Sequence, residues 1–141
     1  MEERIGFERC KGAYAFKTLQ DSGCILSFGS DWPGTNASYY PVNPLFGIYS
    51  AVTRQTVQGQ PEGGWFPEQR VDLTTALKAY TWGSSFGAFE ESRKGTLEEG
   101  KLADITVLDK NLFETEPEEW LNVNVRMTIV GGKTVYKAEV E

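Results

Sequence analysis

One carboxylate in this chain stands where its setting could do chemistry, and it is Asp31. It closes the stretch Gly23–Pro33, GCILSFGSDWP, in which Cys24, Ile25, Leu26 and Phe28 make a short apolar run with no helical spacing. Such a run, bounded by glycines, reads as a strand buried on both faces, as in a parallel sheet. A carboxylate at the carboxyl end of a strand of that kind sits where α/β barrels keep their catalytic groups. The same residue also suits a turn, because Asp ahead of a Pro-Gly segment bonds its own backbone and ends a strand with no chemistry involved. Pattern alone leaves both readings open.

The other chemistry-bearing side chains narrow what Asp31 could do. The sequence has no histidine, which excludes a Ser-His-Asp or Cys-His catalyst and any histidine-bearing metal site built from this chain alone. Cys10 and Cys24 are too few for a disulfide framework or a zinc motif, and they read as reduced thiols in a cytoplasmic protein. A net charge of -6 repels phosphate backbones, so nucleic acid is not a predicted partner. No apolar run is long enough to span a membrane and no signal-peptide pattern opens the chain. Asn36-Ala37-Ser38 matches a glycosylation acceptor, which without a secretion signal is treated as chance. At 141 residues, 40% of them hydrophobic and 24% charged, the chain is that of a globular protein able to bury a core.

The elements that must position Asp31 are legible in outline. Residues 3–22 read as two short helices broken near Gly12, with Gly23 suited to the left-handed closing position. Asn43 and Pro44 open a helix as cap and first residue, and Leu45, Ile48, Tyr49 and Val52 give it one buried face to about Thr56. Residues 58–69 form a long Gly/Pro loop in which Trp65 and Phe66 argue for packing. Asp72 caps a third helix bearing Leu73, Ala76, Leu77 and Tyr80 on one face, which ends in the patch Gly83–Gly87. Beyond Lys94 the character changes to turns and strands: Ile105–Leu108, a helical turn within Glu114–Leu121, then Val125–Val130 and Lys133–Lys137 joined by Gly131-Gly132 as a hairpin. The division falls near residue 93.

Several motifs then recur in a recognisable order: FGSDWP, the helix PLFGIY, Ala51-Val52-Thr53-Arg54, ALKAYT over Ala76–Thr81, KGTLEEGKLAD over Lys94–Asp104, and Val130-Gly131-Gly132-Lys133. Together they resemble the C-terminal part of a metal-dependent amidohydrolase, in the branch containing N-substituted formamide deformylase and related TIM-barrel hydrolases. The resemblance covers almost the whole chain. It implies an α/β fold: residues 1–93 as the last strand and helices of a (β/α)8 barrel, and residues 94–141 as C-terminal strands of a small β-sandwich domain. It further implies hydrolysis of carbon–nitrogen, non-peptide bonds in a small amide-type substrate, with a divalent metal, zinc by preference, activating water. Asp31 matches the aspartate of the last barrel strand, at once metal ligand and general base, and Trp32 becomes an apolar wall of the substrate pocket. A divalent metal brings the pKa of bound water to about 7, and a carboxylate beside it takes the departing proton.

The sequence departs from that pattern in one large respect, since the strands that carry the histidine ligands are absent. The chain therefore reads as a fragment, inactive and without metal on its own, that self-associates or needs a complementary N-terminal chain to cover its apolar strand. The alternative is a non-catalytic structural or interaction module derived from the same scaffold. A binding protein using Trp32, Tyr39, Tyr40 and Trp65 has no specific support. Arg54 reads as a solvated or paired helix residue, with contact to an anionic substrate group as the other option. Asp104 reads as a turn-bonding residue, and Glu98 and Glu99 as a solvated acidic turn.

Overall fold

The first twenty-odd residues fold as their glycines dictate. In the computed structural model, which describes residues 1–32 and 42–139, α1 (Glu2–Ile5) and α2 (Phe7–Cys10) are separated by Gly6 at φ 79°, a conformation that glycine alone adopts freely. A turn through Gly12 leads to α3 (Phe16–Asp21), whose last turn is held by a Lys17–Asp21 ion pair. Gly23 follows at φ 87°. A buried amide clasps α3 from outside: the Thr18 N–H donates to Gln69 Oε1 at 3.0 Å, and Gln69 Nε2 donates to Thr18 Oγ1 at 2.8 Å.

The caps foreseen for the longest helix are the ones present. In α4 (Pro44–Thr53) Asn43 Oδ1 accepts the Leu45 N–H at 3.0 Å and Pro44 takes the first helical position, where no N–H is needed. Leu45, Ile48, Tyr49 and Ala51 are buried, and the helix stops at Arg54, which turns left-handed at φ 62°. A 3₁₀ turn at Pro67–Gln69 precedes α5 (Leu73–Lys78), where Asp72 Oδ1 accepts the Thr75 N–H at 2.6 Å.

The helix then widens into a π turn over Ala79–Gly83 before α6 (Ser84–Gly87). The Ala79 carbonyl explains the register: it accepts the Phe28 N–H at 3.0 Å and the Ser84 hydroxyl at 2.9 Å, so it is not left for the Gly83 N–H of a regular α-turn.

The C-terminal part contains β1 (Ile105–Leu108), a 3₁₀ turn at Leu112–Glu114, α7 (Pro117–Trp120), β2 (Val125–Val130) and β3 (Lys133–Lys137). The strands form one antiparallel sheet in the order β1-β2-β3, with Ile105 opposite Ile129 and Val130 opposite Lys133. Gly131 and Gly132 both lie at positive φ, 55° and 78°, which the tight hairpin turn requires. One hydrophobic core draws on α4, Val71 and Ala76, and on Leu112, Trp120 and Val123 from beyond residue 93. Each fully buried Leu or Ile there contributes on the order of 1.5–3 kcal/mol.

One expectation is corrected. Cys24–Phe28 is not a strand: it forms no ladder, Cys24 is exposed, Ile25 is 43% exposed, and only Leu26 and Phe28 are half-buried. A strand exists only with a partner, and among the described residues no strand lies beside this segment. Its backbone bonds run instead to the helices: Cys24 N–H to the Leu19 carbonyl, Phe28 N–H to the Ala79 carbonyl, and the Ser84 hydroxyl to the Phe28 carbonyl, each at 3.0 Å.

Candidate functional site

A cleft of about 840 Å³ opens between α4, the segment 27–32 and the loop that follows Arg54. Its walls are aromatic. Phe16 and Phe28 meet with ring centroids 4.8 Å apart, and Phe28 meets Tyr80 edge-on at 5.7 Å. Tyr80 is half-buried, which pushes its phenol pKa up. Gly47 lets the Tyr80 hydroxyl approach α4, since a Cβ there would collide with it.

Trp32 lines the cleft and is 56% exposed, while its N–H donates to Ser30 Oγ at 3.3 Å. Asp31, between them, is exposed and does not line the cleft. Its backbone is left-handed, φ 54°, a conformation that Asp tolerates better than most residues. The structure thus brings Trp32 to the cleft and leaves Asp31 at its margin. Tyr39, Tyr40 and Asn36 lie outside the described residues.

Arg54 departs most from its expected setting. In place of a solvated or paired surface residue, it is only 8% exposed and lines the cleft. Its guanidinium carbon lies 5.4 Å from the Phe16 ring centroid and 5.3 Å from that of Trp65. Nε donates to the Trp65 carbonyl at 3.0 Å, and the Trp65 N–H returns a bond to the Arg54 carbonyl at 2.8 Å. Burial pulls the Arg54 pKa down, with the fields of Glu68 and Tyr14 acting the other way, and an arginine so placed keeps its charge. The sequence carried one faint signal, the aromatic pair Trp65-Phe66 in an otherwise polar loop.

Asp104 bonds a turn as expected: its Oδ1 accepts the Gly131 N–H at 2.7 Å, tying the hairpin to the start of β1. Glu98 is a surface carboxylate, held below the usual carboxylate range by Lys101 at 3.0 Å.

The donor set does not fit a metal. Among the described residues no three His, Cys, Asp or Glu side chains come together in a way that could hold one, and the sequence offers no imidazole. Asp31 alone leaves most coordination positions unfilled.

Comparison with known proteins places these features in a class. The chain matches the Amidohydrolase family over residues 1–136. It is 34% identical to the protein YtcJ of Bacillus subtilis over 135 residues, 96% of this chain and 25% of that protein. It is 30% identical to the N-substituted formamide deformylase of Arthrobacter pascens, over 88% of this chain and 21% of the enzyme. In structure it resembles an amidohydrolase from Thermotoga maritima with a TM-score of 0.55 and 21% identity, covering 89% of this chain and 26% of that one. This chain belongs to the Amidohydrolase family. It spans about a quarter of the length of the curated relatives it matches.

Proposed function

We propose that this chain is the C-terminal part of a metal-dependent hydrolase acting on carbon–nitrogen, non-peptide bonds of small amide-type substrates. The observation that carries the reading is the family match over residues 1–136, beside relatives about four times as long that include an N-substituted formamide deformylase. In this reading residues 1–93 end a TIM-like barrel and residues 94–141 supply strands to a small β domain. The antiparallel three-stranded sheet supports the second assignment. A divalent ion, zinc by preference, would be held mainly by residues outside this sequence, with Asp31 contributing one carboxylate. Asp31 also accepts the proton of the attacking water and returns it to the leaving amine. Trp32 forms part of the substrate wall. Two cysteines that form no disulfide suit a cytoplasmic location.

The test joins this chain to a complementary N-terminal chain and follows hydrolysis of an N-substituted formamide. Asp31→Asn should lower kcat by about 100-fold or more with far-UV circular dichroism unchanged, because an amide cannot take the proton. Wild-type activity in the Asn variant would remove Asp31 from the chemistry and leave it a turn former. Hydrolysis by the chain alone would overturn the fragment reading.

A second reading, a scaffold-derived module without catalysis, is favoured by the lack of any metal-holding group among the described residues. Stoichiometric zinc that survives dialysis and disappears with Asp31→Asn would count against it. Either way, exposed Val107, Val130, Val135 and Tyr136 on the sheet and its unpaired edges support self-association or a complementary chain as partner. Light scattering at low micromolar concentration tests this, and a stable monomer would refute it.

A further inference from the structure

Arg54 carries a charge for which the described residues show no counterion. The guanidinium is buried, takes part in none of the ion pairs among the described residues, and Glu68 acts on it only through its field. Nη2 is closed off from water and has no hydrogen-bond partner. A buried charge without a partner is strongly unfavourable, and an orphaned buried donor calls for a group that completes it. Among the described residues that line the cleft, Arg54 is also the one that carries a charge, the others being aromatic, aliphatic or neutral polar. The volume falls within the range of small-molecule sites.

We propose that the Arg54 guanidinium is the anion-holding end of a ligand site in this cleft, and that the ligand is a small carboxylate carrying an apolar or aromatic body. With Nε committed to the Trp65 carbonyl, the two Nη atoms form the free end of the fork, which matches the two oxygens of a carboxylate. A carboxylate needs one cation. A phosphate would call for further donors, and the described residues that line the cleft include no lysine or second arginine. The rings of Phe16 and Trp65, with centroids 5.4 and 5.3 Å from the guanidinium carbon, and the bond from Nε to the Trp65 carbonyl restrict the side chain, so less freedom remains to be lost on binding. Because Nη2 is covered, binding requires the cleft wall to shift and uncover it, and the body of the ligand then lies against Phe28, Trp32 and Tyr80. The site stands whether or not Asp31 takes part in hydrolysis, because binding alone reads it.

The experiment titrates the full chain with phenylacetate and with its neutral isostere phenylacetamide, following fluorescence of Trp32 and Trp65 in the cleft. Phenylacetate should saturate and bind about tenfold or more tighter than the amide, and Arg54→Gln should erase that difference. Equal affinity for acid and amide, or no saturable signal with the acid, overturns the proposal and leaves a water as the partner of Nη2. Ser50→Glu covers the case in which Arg54→Gln loses native circular dichroism. Ser50 lines the cleft one helical turn before Arg54, so a carboxylate there competes for the guanidinium. Selective loss of phenylacetate binding in that variant supports the site. Undiminished binding of the acid in either folded variant refutes it.

Discussion

Replacing Gly83 by alanine tests the joint between the segment that leads to Asp31 and the helix behind it. Gly83 is helical, so by propensity alone alanine should stabilise by about 1 kcal/mol. Its environment says the opposite. A Cβ at this position would lie 3.2 Å from the Leu26 carbonyl carbon and 3.3 Å from the Lys78 oxygen, with the Leu26 oxygen closer still. These are backbone atoms, so no side-chain rotation relieves the clash, and residues 26–28 must retreat by roughly 1 Å in a close-packed site. Overpacking of this kind costs about 1–3 kcal/mol. The retreat also strains two bonds, Phe28 N–H to Ala79 and the Ser84 hydroxyl to Phe28, each worth about 0.5–1.5 kcal/mol. After the propensity gain, the net destabilisation is about 1–5 kcal/mol. Urea denaturation followed by far-UV circular dichroism measures it. Gly12→Ala, where no atom lies within 4 Å of the new Cβ, is the control and should stay within about 0.5 kcal/mol of wild type. A Gly83→Ala midpoint equal to or above wild type would refute the close approach.

Asp72→Ala should cost about 1 kcal/mol by uncapping α5, and Asp72→Asn much less. The bond from the Thr75 N–H holds the folded Asp72 carboxyl below its ordinary range, so its contribution is full above the unfolded value of about 3.9 and is lost as pH falls through the lower folded one. A wild-type-minus-Ala stability difference that does not shrink in acid would contradict this. Trp120→Phe should cost about 2–4 kcal/mol, because the indole N–H bonds the Leu112 and Thr115 carbonyls, both at 3.2 Å, and the ring sits in the core; a loss under about 1 kcal/mol in thermal unfolding would show those bonds to be dispensable. Gly132→Val should cost at least about 1 kcal/mol, since its φ of 78° suits glycine; amide exchange in β2 and β3 should rise, and unchanged exchange would refute it.

What the sequence disclosed and what it withheld divide along the range of the interactions. Asn43 and Asp72 were readable as caps because a cap is settled within three residues, and Gly131-Gly132 because its backbone conformation is a local demand. Cys24–Phe28 was misread because apolar composition selects burial, whereas pairing depends on another strand. The π turn at Ala79–Gly83 stayed hidden for a similar reason: it answers to Phe28, far off along the chain. From its helix Arg54 reads as a solvated or paired surface residue, or one in contact with an anionic group, yet it follows the last residue of α4, and its covering rings come from Phe16 and Trp65. For the candidate site, the motif around Asp31 and Trp32 could be located, but the cleft those residues border could not.

The amide of Gln69 has a consequence for how the protein ages. It gives one hydrogen and takes one, standing in for a peptide group that the chain does not supply beside Thr18. The arrangement has a direction: nitrogen must face the threonine hydroxyl and oxygen its N–H. Glutamine side chains slowly hydrolyse to glutamate, and a carboxylate at this place can accept from both but give to neither. Thr18 would then have to turn its own hydroxyl hydrogen toward residue 69, and an added negative charge would lie almost out of reach of water. Molecules in which Gln69 has hydrolysed should therefore loosen where α3 meets the 3₁₀ turn at Pro67–Gln69, a gain of one mass unit at residue 69 marking them.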